Sequence, residues 1–289
     1  MTPKRIRGED HEPAHRPAGV PRTATPEAGE RPLAIRPHRA ATWPAVVVTA
    51  ALAFAAGCGL LPPDERPQDE RPPHPRRCAV VVDVSASVPP ELHDRYRQDA
   101  DAAVTACAGG VVHVDVADAN ARAGTCAPVE RRLSAPKPRD NEVFDGQAEQ
   151  EQVDAAKEQT AALLGCGLRE PAQATDLFGA IVLAGTWLHE QEADGHDLTV
   201  ISDGISTADP FDLSARELDD GGITALLAEL GSAGGVADLG GVNVRFVGVG
   251  VGVEELGPAR LGRVDAFWRA YVDHTGGSVS RIAKTLGGA

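Results

Sequence analysis

The chain has little of what a nucleic-acid binder needs. Lysine occurs only at positions 4, 137, 157 and 284, no basic–aromatic patch is present, and the net charge is −14. Residues 1–57 carry eight basic and five acidic side chains, a surplus of three positive charges, which leaves −17 for the rest. A body that acidic is repelled by phosphate backbones, so nucleic acid is excluded as a partner class. Its charge reads as solubility. Enzyme signatures are missing too. There is no CxxC pair and no P-loop. His189-Glu190 lacks the second histidine of a zinc-protease helix, because position 193 is Ala. Gly248-Val249-Gly250-Val251-Gly252 lacks the later Gly of a dinucleotide fingerprint and reads as a strand end entering a tight turn. Gly204-Ile205-Ser206-Thr207-Ala208 ends in the wrong residue for a nucleophile elbow. A hydrolase built on Ser206 or a bound water has no general base, so the chain is expected not to be an enzyme.

What is present divides the chain into four parts. Residues 1–42 are rich in Pro and charge without apolar periodicity, too little to offset the entropy of ordering, and are expected to be disordered. Residues 45–57 form an uncharged apolar run of thirteen, the length of a signal-peptide core, and Ala55-Ala56-Gly57-Cys58 resembles a bacterial lipobox, in which the cysteine is lipidated. Ala55 stands where lipoproteins usually carry Leu. Taken as 43–61 the stretch reaches nineteen residues, and an uncleaved anchor is the alternative; a buried helix is a third. With lipoprotein or anchor, the basic side stays in the cytoplasm and everything after Cys58 faces out, on the extracytoplasmic side of the membrane. Residues 62–77, PPDERPQDERPPHPRR, read as a stiff Pro-rich linker.

From Cys78 the pattern becomes that of a globular domain, 78–286. Residues 79–84, AVVVDV, suit a central strand buried on both faces. Further strands are expected at 111–116, at 128–134 on the sheet edge, and at 198–202, 242–251 and 279–282. Between them run helices. Pro89 and Pro90 open one with Leu92, Tyr96, Ala100, Ala103 and Cys107 on a face. Others cover 147–164, the stretch after Thr175, 223–230, and the i, i+3, i+4, i+7, i+8 series Val264, Phe267, Trp268, Tyr271 and Val272, whose aromatics read as core. Strands alternating with helices imply right-handed crossovers: an α/β fold, doubly wound, with a mostly parallel six-stranded sheet and helices on both faces. Ligands of such sheets bind beyond the carboxyl ends of the strands.

Two loops at those ends carry oxygen donors. Asp83-Val84-Ser85-Ala86-Ser87 follows the first strand, and Ser202-Asp203-Gly204 follows the fourth. In an extended segment Asp83, Ser85 and Ser87 point the same way. Carboxylate and hydroxyl oxygens suit Mg²⁺, Mn²⁺ or Ca²⁺ rather than Zn²⁺. D-x-S-x-S after a buried strand, a Thr opening a helix after a long loop (Thr175), and an Asp beyond the next strand in an S-D-G context (Asp203) together resemble the metal-ion-dependent adhesion site of von Willebrand factor A and integrin I domains. The resemblance implies a Rossmann-like fold for 78–286. It also implies a cation, Mg²⁺ with Mn²⁺ or Ca²⁺ possible, held by the hydroxyls of Ser85, Ser87 and Thr175 and by Asp83 and Asp203, directly or through water. One position stays open for a carboxylate of a protein partner. The function it implies is adhesion or protein–protein interaction; the alternative is a metal-independent structural or assembly subunit of an envelope complex.

Cys78, Cys107, Cys126 and Cys166 remain once Cys58 is set aside. An even number outside the cytoplasm fits two disulfides, and three pairings are possible. Cys78 opens the first strand and Cys107 ends the helix running back beside it, which favours Cys78–Cys107 and leaves Cys126–Cys166 to staple loops.

Overall fold

The computed structural model describes residues 74–285, apart from 120, 122, 123, 125 and 135–141. The expectations for 1–42, for the segment 43–61 with Cys58, and for nearly all of the linker 62–77 therefore lie outside the described residues. Among the described residues no helix is long and apolar enough to cross a membrane.

A run apolar at every position, such as Cys78-Ala79-Val80-Val81-Val82, is stable in a strand only when both of its faces are covered. Strand β1 (Arg77–Asp83) is buried along its whole length. In chain order it is followed by α1 (Pro90–Ala106), β2 (Val111–Ala117), β3 (Val129–Arg132), α2 (Glu142–Gly167), α3 (Leu177–His189), β4 (His196–Ile201), α4 (Asp220–Ala233), β5 (Val242–Val247), a 3-10 turn at Glu254–Leu256, α5 (Gly257–His274) and β6 (Ser278–Ala283). The architecture is α/β. Its six strands lie in the order β3-β2-β1-β4-β5-β6, and every pair is parallel except β2 with β3. The antiparallel β3 closes one edge with four residues, three of them charged, which discourages further strand addition.

Alternate residues of β1 feed two cores. Ala79 and Val81 join the cluster built with Leu177, Phe178 and Ile181 of α3, Ile223 and Leu226 of α4, and Phe267, Trp268 and Tyr271 of α5. Cys78, Val80 and Val82 join the cluster built with Tyr96, Ala100 and Val104 of α1 and Val153, Ala156 and Leu163 of α2. Period-2 alternation thus assigns each side chain of β1 to one layer or the other. The aromatic series of α5 is core, as its spacing predicted: Trp268 has ring neighbours Phe246 at 4.9 Å, Phe267 at 5.2 Å, Phe178 at 5.3 Å and Tyr271 at 5.5 Å.

Several element ends differ from expectation by a few residues, most of all the start of α2 and the end of β5. Helix α2 begins at Glu142 rather than 147, because its first turn carries Val143 and Phe144 on the exposed side and shows no buried stripe. Strand β5 ends at Val247 rather than 251, where Gly248, Gly250 and Gly252 all take positive φ and fold the chain into the expected turn. His196 is half-buried as the first residue of β4, with its ring 5.1 Å from that of His189.

Both favoured disulfides form, Cys78–Cys107 and Cys126–Cys166. The first joins the amino end of β1 to the residue capping α1, and both cysteines are buried. Closing a ring over 29 residues constrains the unfolded chain by about 3.5 kcal/mol in the chain-entropy view. Replacing Cys78 and Cys107 together by Ser is expected to lower the unfolding free energy by about that much in urea titrations. An unchanged value would show that the bridge adds nothing to stability.

Candidate functional site

Strand order reverses beside β1: β2 lies on one side and β4 on the other. In open sheets with such a reversal, ligands bind beyond the carboxyl ends of the flanking strands, here β1 and β4. Register brings the chemistry together. Val82 pairs with Ile201, so the next residues, Asp83 and Ser202, stand side by side, with Asp203 one step beyond. The Ser202 hydroxyl donates to Asp83 Oδ2 at 2.9 Å and accepts the Gly204 N–H at 3.0 Å.

Each loop is shaped by its own polar groups. Asp83 Oδ1 accepts the Ser85 N–H at 3.0 Å, turning the chain sharply out of the sheet. Ser85 and Ser87 then lie with their hydroxyl oxygens 2.8 Å apart. Asp203 repeats the device, its Oδ1 accepting the Ile205 N–H at 2.8 Å. Gly204 has φ +87°, and a Cβ there would lie 3.3 Å from Trp268 Nε1, Val249 and Val264, so the turn needs glycine. Trp268 Nε1 donates to the Gly204 carbonyl at 2.9 Å and fixes the turn from below.

Thr175 arrives from the other side. It is wholly buried, and its hydroxyl points at Asp83 Oδ1, 3.5 Å away. Its N–H donates to Thr207 Oγ1 at 2.9 Å, and its carbonyl accepts the Ser206 hydroxyl at 2.9 Å. Ser206 is buried in that structural role. Asp176 caps α3 by accepting the Gly179 N–H at 2.8 Å, so Thr175 sits at the mouth of a helix, as its sequence context predicted.

Asp83, Ser85, Thr175 and Asp203 therefore share one buried network, and Ser87 joins it through Ser85. The sequence names Ser202 only as the neighbour of Asp203 and Ser206 only as a rejected nucleophile, whereas the Ser202 hydroxyl stands between the two carboxylates (3.4 Å from Asp203 Oδ1) and Ser206, with Thr207, holds Thr175. The adjacency of Ser202 to Asp203 was the only available signal.

Electrostatically the site is strained. Asp83 and Asp203 are 2% and 3% exposed. Burial pushes the Asp83 carboxyl up from its ordinary value, against hydrogen bonds from Ser85, Ser202 and Thr175 that favour the ion. Burial first, and then the neighbouring Asp83 charge, raise Asp203 to about 7; the exposed Glu255 adds to this. Among the described residues, no Lys, Arg or His is among the main influences on either carboxyl. The Tyr96 phenol is buried beside them without a hydrogen-bond partner among the described residues, and burial plus the Asp203 and Asp83 charges push it up as well. Among the described residues no group of three or more His, Cys, Asp or Glu gathers as a metal cluster, so the site offers two carboxylates within a hydroxyl-rich oxygen set.

No protein-family model matches the chain, and no curated protein does. Solved structures similar to it include an aerotolerance-related membrane protein from Bacteroides fragilis, at 17% identity and TM-score 0.37 over 73% of this chain and 90% of that one. A mutant of the PilB minor pilin from Streptococcus sanguinis is similar at 12% identity and TM-score 0.43, over 74% of this chain and 58% of the pilin. The conserved hypothetical protein BatB from Bacteroides thetaiotaomicron is similar at 14% identity and TM-score 0.38, over 72% and 91%. Likeness of that degree assigns no function, and the site is read from its own residues.

Proposed function

We propose that residues 78–286 form a doubly wound von Willebrand factor A-type module that binds a divalent cation and, through it, an acidic group of a protein partner. Asp83, Ser85, Ser87, Thr175 and Asp203 would hold the ion, Mg²⁺ foremost and Mn²⁺ or Ca²⁺ as alternatives. The observation that carries this reading is the pair of buried carboxylates beside hydroxyl oxygens, at the point of strand reversal, with no basic side chain among the described residues paired to them. Buried charge is costly unless paired or metal-bound, and hard oxygen donors suit hard cations. When bound, the ion supplies positive charge and a coordination position for an outside carboxylate. The chain's own part is to aim the donors: the Asp83 and Asp203 turns fix the carboxylates, and Thr207 and Ser206 hold Thr175. In this reading the module stands outside a bacterial membrane, tethered through the segment 43–61, with Cys58 as lipid attachment or the segment as an uncleaved anchor. It acts by binding and not as an enzyme.

Mass action on the native state provides the test. With Mg²⁺ or Mn²⁺ at about a hundred times its dissociation constant, unfolding should cost about 2.7 kcal/mol more. In a domain of this size that raises Tm by about 5–10 °C. Asp83→Ala should abolish the increase in differential scanning fluorimetry, and equal responses of wild type and variant would end the proposal.

One observation favours a second reading. The hydrogen bonds of Ser85 with Ser87, and of Ser202 and Thr175 with Asp83, already close the network on itself, as a metal-independent assembly subunit would need. Partner capture lost in EDTA supports the cation reading, and capture indifferent to EDTA supports the assembly reading.

A further inference from the structure

We propose that the Cys126–Cys166 disulfide is a reducible strut that holds the cation site in shape, so that a dithiol which opens it weakens cation binding. This rests on the cation reading above and adds a regulation to it.

The two bridges occupy different settings. Cys78–Cys107 is buried at the amino end of β1, about 16 Å of strand away from Asp83. Cys126–Cys166 lies at the other end. It lines an open cleft of about 730 Å³ together with Val84, Asp118, Arg169 and Glu170. Cys126 is 7% exposed and Cys166 only half-buried, so a small dithiol reaches this bridge through the cleft while the other stays covered.

The strut bears directly on the site. Cys166 is in the last turn of α2, and the next residue, Gly167, packs so closely on Val84 that a Cβ would lie 2.6 Å from Val84 Cγ2. Val84 stands between Asp83 and Ser85. Further along, the Ala172 carbonyl accepts the Ala86 N–H at 2.8 Å, which ties the segment leading to Thr175 onto the Asp83–Ser87 loop. Across the cleft the Asp118 carbonyl accepts the Asp176 N–H at 2.7 Å, next to Thr175, and the chain from Asp118 leads on to Cys126. The bridge thus fastens the last turn of α2, which shoulders the donor loop through Gly167. Opening it frees the end of α2 to move off Val84, and Asp83, Ser85 and Thr175 lose their common aim.

The chemistry is thiol–disulfide exchange. One thiolate of the dithiol attacks a sulfur of the bridge and releases the other cysteine as thiolate, which takes up a proton. The second dithiol sulfur, giving up its proton, then attacks the mixed disulfide and expels the remaining cysteine. Two electrons pass to the protein, which ends with two thiols, and the dithiol ends as its own disulfide.

The test uses the full chain and Mn²⁺ alone, with binding read by calorimetry or electron paramagnetic resonance. Graded dithiothreitol followed by alkylation and peptide mapping should label Cys126 and Cys166 at doses that leave Cys78 and Cys107 unlabelled. Protein so treated, and the Cys126→Ser/Cys166→Ser variant, should bind Mn²⁺ about 10–100-fold more weakly, the range found when groups that orient ligands are removed. Gly167→Ala keeps both bridges, so it reports on the Val84 contact even where loss of cysteines compromises folding. It should weaken Mn²⁺ binding, and Val84→Ala in the same chain should restore it. Bridges that reduce at one dose, or variants that bind as oxidised wild type does, overturn this inference and leave the cation reading intact. Oxidised wild type that binds no Mn²⁺ overturns the cation reading first.

Discussion

Asp203→Asn should make the cation-free domain more stable above neutral pH and remove much of its dependence on pH. The carboxyl sits at about 7 in the folded chain, against 3.8 for an ordinary aspartate. Between those values the folded state keeps a proton that the unfolded state releases, so stability falls as pH rises. It is greatest below about pH 4 and reaches its floor above about pH 7. The whole interval amounts to on the order of 4 kcal/mol, a ceiling because a buried Asn must also satisfy its amide. Asp83, pushed up by burial, adds a slope of the same sign, so some dependence survives in the variant. Urea titrations in EDTA at about pH 4.5 and about pH 8 should show wild type losing stability and the variant losing far less. Added Mg²⁺ should recover the wild type at the higher pH, because the cation takes the ionised carboxylate, and should leave the variant unmoved. Equal slopes for both proteins would show that Asp203 is not held up in the folded state.

Trp268→Ala should cost about 3–5 kcal/mol, the range for deleting a large buried aromatic. Trp268 is fully buried, it packs on four aromatic rings, and its Nε1 proton satisfies the Gly204 carbonyl. Trp268→Phe separates these contributions: it keeps most of the packing and leaves that carbonyl unpaired, for about 1–3 kcal/mol. The phenylalanine variant should therefore lose less stability and still show a smaller Mg²⁺-induced rise in Tm, since the loosened turn carries Asp203. A phenylalanine variant with wild-type response to Mg²⁺ would show that the indole positions nothing at the site.

Much of this architecture can be read along the chain, element by element. Val80-Val81-Val82 announces a strand covered on both faces, and β1 is that strand. The five-residue stripe from Val264 to Val272 announces a helix with one buried side, and α5 buries all five. Glycines at 248, 250 and 252 mark a turn, although they left the end of β5 four residues too late. Helix α2 was cut short because its exposed first turn carries no apolar period.

The candidate site divides along the same line. Asp83, Ser85 and Ser87 are legible because their relation is local, although a turn begun by Asp83, and not the extended segment expected, brings their oxygens together. Thr175 is legible as the residue before a capped helix. Ser202 was not, because its importance arises only when β4 is laid parallel beside β1 in a register that sets it against Asp83, and nothing within either strand encodes that pairing. The same holds for Gly167 against Val84, residues far apart in sequence whose contact exists only after α2 has packed.

The sequence by itself determined which segments are strands and helices, which of their faces are apolar, and which oxygen-bearing residues stand at strand ends. Those properties are short-range, set by repeat periods of two and 3.6 residues and by turn chemistry. Only the tertiary structure decided that Asp83 and Asp203 are neighbours in a buried setting, that Ser202 stands between them, and that a disulfide braces the loop beside them. Desolvation and Coulomb repulsion depend on what surrounds a group in space, and distant segments supply those surroundings when the sheet assembles.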